Sequence, residues 1–205
     1  MASKITAAQI RSVRNDYADR LVGQWQILGN DALIRHNGIV GQRIWFDRLR
    51  TGEYRPTVSI QVFVAPSSVG GTGAVVEFLP SLGRQLTLKS HEIMIEKVMD
   101  ALRTSTSLAI DAPLQTKAIA ALIKNLAAPN LAECYCLGCL SAFLGEYHAF
   151  KEWFERFDLV VARIEQSDPE RRSFLETVAG WIEEGIASEA LEAVARKEMG
   201  KAGIT

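Results

Sequence analysis

Near residue 90 the spacing of apolar residues leaves the two-residue period of strands for good, and that switch limits the fold more than any other feature. Before it, Val58, Ile60, Val62 and Val64 alternate with Thr57, Ser59, Gln61 and Phe63. That period of two puts one set on each face of a strand. After it, apolar residues return every third or fourth position, as in Met94, Ile95, Val98, Met99 and Leu102. That is the repeat of a helix with one buried face. The expected fold is therefore α+β: an N-terminal helix and an antiparallel meander of four or five strands, then an all-helical half of antiparallel helix hairpins. The expected division is 1–104 for the sheet region and 105–205 for a helical bundle or repeat-like region, as two domains or as one continuous domain. Thr104-Ser105-Thr106-Ser107, within 104–112, is the linker.

Local signals place the elements. Thr6-Ala7-Ala8-Gln9 is a capping box, and Ile10, Val13, Tyr17, Leu21, Trp25 and Leu28 predict a helix over 7–28 stopped by Gly29-Asn30. A short strand over 33–35 precedes a hairpin of 39–48 and 55–65, turned by Thr51-Gly52-Glu53, with Pro56 where a missing N–H is tolerated. A looser pair, 74–79 and 84–88, turns at Pro80-Ser81-Leu82-Gly83. In the second half, Asp111 and Pro113 open a helix carrying Leu114, Ala118, Ala121, Leu122 and Leu126. Asn130 caps the next, which ends at Gly145. Phe150, Trp153, Phe154, Phe157, Val161 and Ile164 mark a further helix. Asp168-Pro169 opens one with Phe174, Val178, Trp181 and Ile182 buried, and Ser188 caps a last short one.

Composition narrows the function classes. Of 205 residues, 48% are hydrophobic and the net charge is −1, so a core forms without staples and no global charge draws the chain to nucleic acid. The charge is uneven: residues 1–90 carry eleven Lys/Arg against six Asp/Glu, a net of +5, and residues 91–205 twelve against eighteen, a net of −6. No signal-peptide core follows Met1, and no apolar run approaches the ~18 residues of a membrane span. The three cysteines are odd in number and clustered, which is no disulfide framework. A soluble, cytoplasmic protein with no membrane association and no cofactor is expected.

Residues 131–164 resemble the tetratricopeptide repeat. Leu137-Gly138 is followed by Gly145 and then Phe154 at that repeat's spacing, and Glu146-Tyr147 looks like its turn. Phe150, Phe157 and Ala162 stand where the repeat has small residues and a proline. The resemblance implies a concave helical surface for a peptide or protein partner.

Four clusters bear on chemistry. Cys134, Cys136 and Cys139, with His148 nine residues further on, have the residue types of a zinc site. They sit inside a helical pattern with 134 and 136 on different sides, so small hydrophobes filling gaps between helices are the plainer reading. Val69-Gly70-Gly71-Thr72-Gly73 lacks the Lys-Ser/Thr of a phosphate loop and reads as a connection. The hairpin carries Arg43, Arg48, Arg50 and Arg55 with Trp45, Phe46 and Tyr54 between them. Such a ribbon suits phosphates, bases or an acidic partner, although charge on an edge strand also deters sheet-to-sheet pairing. His36, His91 and His148 pair with no nucleophile in sequence, though distant residues do assemble triads.

The expected function is a non-enzymatic protein–protein interaction module, of the immunity or antitoxin-like kind found in bacteria. Its partner-binding candidates are Arg43, Trp45, Arg48, Arg50, Tyr54 and Arg55; Trp153 and Trp181 are further candidate anchors, although their helical spacing reads more plainly as core. Two alternatives stand beside it. One is a small hydrolase or transferase with a site on the sheet half, built from His36, His91 or Asp47. The other is nucleic-acid binding through the basic hairpin 43–55. A protein partner is favoured over nucleic acid.

Overall fold

A computed structural model describes residues 4–64, 77–78, 85–104, 110–125, 129–164 and 168–205. The glycine-rich stretch 69–73, the turn 80–83 and most of the linker lie outside the described residues. The order is α1 (Ala7–Ala18), β1 (Gln26–Leu28), β2 (Ala32–Asn37), β3 (Val40–Arg48), β4 (Glu53–Val62), β5 (Glu77–Phe78), β6 (Leu86–Thr87), α2 (Leu88–Thr104), α3 (Thr116–Lys124), α4 (Leu131–Phe143), α5 (Tyr147–Ile164), α6 (Pro169–Glu183) and α7 (Ala187–Lys201). This is the α+β fold the change of period implies: a helix, an antiparallel meander, then helices.

The chain divides into two compact units. The first comprises Met1–Arg35, Gln42–Ile60 and Val75–Pro113; the second comprises His36–Gly41, Gln61–Ala74 and Leu114–Thr205. The second unit thus draws two segments from the sheet half.

The sheet runs β1-β2-β3-β4-β5, with β6 also pairing β4. Thr57 and Val58 face Phe78 and Glu77 across the β4–β5 ladder, and Glu53 and Tyr54 face Thr87 and Leu86 across β4–β6. The basic hairpin β3–β4 is therefore central, so its arginines are not explained as guards of an open edge. In the first unit α1, α2 and the sheet share one core: Ile10, Val13 and Tyr17 from α1, Leu33, Ile44, Phe46 and Val58 from the sheet, and Val98, Met99 and Leu102 from α2. Burial of each such side chain contributes about 1.5–3 kcal/mol.

The capping box of α1 forms as expected, Thr6 Oγ1 accepting from Gln9 N–H and Gln9 reaching back. The helix, however, stops at Ala18, ten residues short of expectation. Gly23, with φ of 104°, turns the chain into β1, which pairs β2 as Gln26↔Ile34, Ile27↔Leu33 and Leu28↔Ala32. Gly29-Asn30 is the turn of that hairpin and not a helix stop. Other limits shift by less: α3 begins at Thr116 rather than near Asp111, and α7 begins at Ala187 with Ile186 at its cap, so Ser188 lies inside its first turn.

In the second unit α4 is the centre. Cys134 through Ala142, nine consecutive residues, are all buried. A helix apolar on every side needs neighbours on every side, and α3, α5, α6 and α7 all pack on it. Asn130 and Glu133 close its capping box. Gly138 admits this crowding: a Cβ there would meet Leu175 Cδ2 at 3.2 Å.

The hairpins α4–α5 and α6–α7 turn alike. Gly145 and Gly185, forty residues apart, hold φ of 74° and 75°. Glu146 N–H donates to Ser141 O at 2.8 Å and Ile186 N–H to Trp181 O at 2.9 Å, the same six-to-one bond closing each helix end. The repeat resemblance extends to the hairpin and its turn only. Stacked repeats touch their neighbours in succession, whereas four helices surround α4 here.

Candidate functional site

The residues singled out on the hairpin separate into three environments. Tyr54 lies on the inner side of β4, fully buried, and so offers no ring to a partner. Arg43 and Trp45 share the other side of β3, where the guanidinium lies 5.1 Å over the indole and Trp45 is 41% exposed. Burial holds the Arg43 guanidinium below its ordinary pKa, and among the described residues its Nε has no hydrogen-bond partner. Arg55 is bound to Asp47 at 2.7 Å. Its charge is therefore already answered within the sheet.

Arg48 and Arg50 are different. Both are exposed. With Leu49, and with Lys4 and Ile5 ahead of α1, they line a hollow of ≈ 240 Å³. The β3–β4 turn shapes it: Leu49 N–H donates to Glu53 O, Gly52 takes φ of 79°, and Thr51 Oγ1 donates to Glu53 Oε2 at 2.7 Å. Glu53 is thereby held by its own turn. Among the described residues neither Lys4, Arg48 nor Arg50 has an ion-pair partner. Arg20, Arg103, Arg171 and Arg172 are by contrast paired to Glu96, Asp111, Asp168 and Asp158. Three cations thus face a half-apolar hollow. Lys4 was not foreseen there, because its closeness to the hairpin is tertiary.

The histidines have their own partners. His91 links three elements: its Nε2 lies 3.0 Å from Asp16 on α1, and its Nδ1 2.6 Å from the Tyr54 hydroxyl, which in turn lies 3.4 Å from that of Tyr17. A carboxylate only accepts, so Nε2 donates to Asp16 and, in the neutral ring, Nδ1 accepts from Tyr54. Burial pushes both tyrosine hydroxyls well above the ordinary phenol range. Both ring nitrogens are engaged and both hydroxyls are fully buried, so the chain of bonds ties α1, α2 and β4 together and presents no reacting oxygen to a substrate. In the second unit His36 Nε2 lies 3.4 Å from Thr205 O, with its ring edge-on to Phe63. Asp47 is committed to Arg55.

The cysteines are sealed. Cys134, Cys136 and Cys139 are all buried in α4, and burial raises each thiol, Cys136 to about 12. A thiolate, the form that ligates metal or attacks, is therefore disfavoured at all three. His148 is 92% exposed on α5 and lies 3.4 Å from Glu152. Among the described residues no group of three or more His, Cys, Asp or Glu side chains is placed to hold a metal ion. None of the described helices is long and apolar enough to cross a membrane.

The two tryptophans of the helical unit differ as well. Trp153 is 6% exposed, yet lines a groove of ≈ 200 Å³ between α3, α4 and α5. Trp181 is half-buried, edge-on to Phe174 at 5.8 Å. Comparison with models of protein families, with curated proteins and with solved structures finds no match to this chain.

Proposed function

We propose that the protein is a non-enzymatic interaction module that docks an acidic partner on the hollow framed by Lys4, Arg48 and Arg50. The observation that carries this reading is the set of three cations around one hollow that, among the described residues, have no ion-pair partner, whereas Arg20, Arg55 and Arg103 of the same unit each have a carboxylate. Like charges held together repel, and a carboxylate-bearing partner relieves that repulsion while gaining charge-assisted hydrogen bonds. Ile5 and Leu49 supply apolar contact at the floor. A volume of ≈ 240 Å³ falls below the ~300 Å³ at which small-molecule sites begin, which suits inserted side chains of a larger partner.

Fluorescence anisotropy of a labelled oligoglutamate peptide tests it, with a DNA duplex as rival probe. Binding that weakens with salt and falls about tenfold or more, ~1.4 kcal/mol, in Arg48→Ala/Arg50→Ala supports the reading. Tighter binding of the duplex through the same two arginines moves the assignment to nucleic acid. An oligoglutamate affinity that ignores the double substitution removes the hollow from the account.

A further inference from the structure

The groove of the helical unit is a second, independent surface. Its floor is Leu137 and Trp153, and its walls are made low by Ala120, Ala121 and Ala149. Small residues are what allow another helix to approach to the 8–10 Å of a packed pair. The hollow holds ≈ 200 Å³, room for an inserted side chain or two and again below the ~300 Å³ of a small-molecule site. The rims are charged and dissimilar. Lys117 and Lys124 stand on the α3 side and Glu146 on the other. Both lysines are exposed, and among the described residues neither has an ion-pair partner. Seven residues separate them, two turns of helix or about 10.5 Å.

From this geometry we propose that the groove takes an amphipathic helix of a partner protein, one whose apolar stripe is bordered by two carboxylates seven residues apart. The apolar stripe fills the floor over Leu137 and Trp153, as in other helix-in-groove recognition. The carboxylates pair with Lys117 and Lys124, and a basic residue on the opposite border meets Glu146. The spacing of the lysines sets the register, because only residues seven apart return to nearly the same side of a helix two turns on. The groove and the basic hollow use different residues, so either is able to fail without the other.

The test uses two synthetic helical peptides of about 16 residues, four turns or more. Both carry Leu at the stripe; one has Glu at two positions seven apart and its twin has Lys there. Each is titrated by anisotropy into the full chain. The proposal expects the Glu peptide to bind about tenfold or more tighter than its twin, and Lys117→Glu/Lys124→Glu to reverse that order. Both lysines are exposed, so this variant keeps the fold, which circular dichroism verifies. Arg48→Ala/Arg50→Ala is expected to leave both affinities unchanged; if it abolishes Glu-peptide binding, the peptide sits on the basic hollow and the groove is overturned. Absence of binding, or equal affinity for both peptides, overturns it too. So does a dimer in sedimentation that dissociates in Lys117→Glu/Lys124→Glu, which assigns the groove to a second copy of the chain.

Discussion

Tyr54 shows how far a single side chain can be read from sequence. Its place between Arg50 and Arg55 made it a partner-binding candidate, yet its hydroxyl is 2.6 Å from His91 inside the core. The partner lies 37 residues away, and no local pattern announces such a pairing. Tyr54→Phe leaves His91 Nδ1 without its donor, and a buried group so orphaned costs about 1–3 kcal/mol. Urea unfolding is expected to show that loss; an unchanged midpoint means the bond contributes nothing. The cysteines were legible, since an apolar helical setting already argued for buried packing. Their titration gives a pH prediction. Cys136 is raised from 9.0 to about 12, so between those values the folded chain keeps a proton that the unfolded chain releases. Stability from this group is full below pH 9 and falls as pH rises toward 12. Cys136→Ala is expected to flatten that alkaline decline in denaturation followed by circular dichroism.

At the scale of elements, the periods were a sound guide to type except over 26–28, read as helix and found as β1, and a poorer one to limits. The helix expected over 7–28 ends at Ala18 although Leu21 and Trp25 keep its spacing. Both still pack against the same core, reached by a loop rather than by helix. Spacing reports which residues face the core and is silent on the backbone that takes them there. Gly23 was the missed signal. Caps other than Ser188 fared better, because their partners lie three residues apart: Thr6 and Gln9, Asn130 and Glu133, Asp168 and Arg171. Asn130→Ala is expected to cost about 1 kcal/mol, measured by thermal or urea unfolding. Gly145→Ala and Gly185→Ala meet no neighbour within 4 Å, so only their left-handed backbone resists. Each is expected to lose about 1–2 kcal/mol, and equal losses would show the two turns to be energetically as well as geometrically alike.

For the molecule as a whole, the broad division into a sheet half and a helical half was visible in the change of period. The make-up of the two compact units was not, because His36–Gly41 and Gln61–Ala74 join the second through tertiary contact. Asn37 Nδ2 donates to Leu114 O at 2.7 Å and Tyr135 hydroxyl to Val64 O at 2.5 Å, bonds spanning more than 70 residues. The charge division was legible too, and it led to Arg48 and Arg50. The lysine-edged groove was not, since Lys117 and Lys124 gain meaning only once α4 and α5 lie beside them. Gly138→Ala tests the crowding around α4. The alanine gains up to ~1 kcal/mol in helix propensity, but its Cβ would press on the fully buried Leu175 at 3.2 Å, and overpacking costs about 1–3 kcal/mol. A net loss of stability is expected.

The burial of α4 on every side also has a consequence in time. Synthesis delivers α4 ahead of α5, α6 and α7, three of the four helices that cover it. Until Leu175, Leu191 and Ala195, all fully buried in the finished unit, have been made, the sides of α4 that α6 and α7 cover stay open. The cover of this oily helix is therefore completed in chain order, from the α3 side first to the α7 side last.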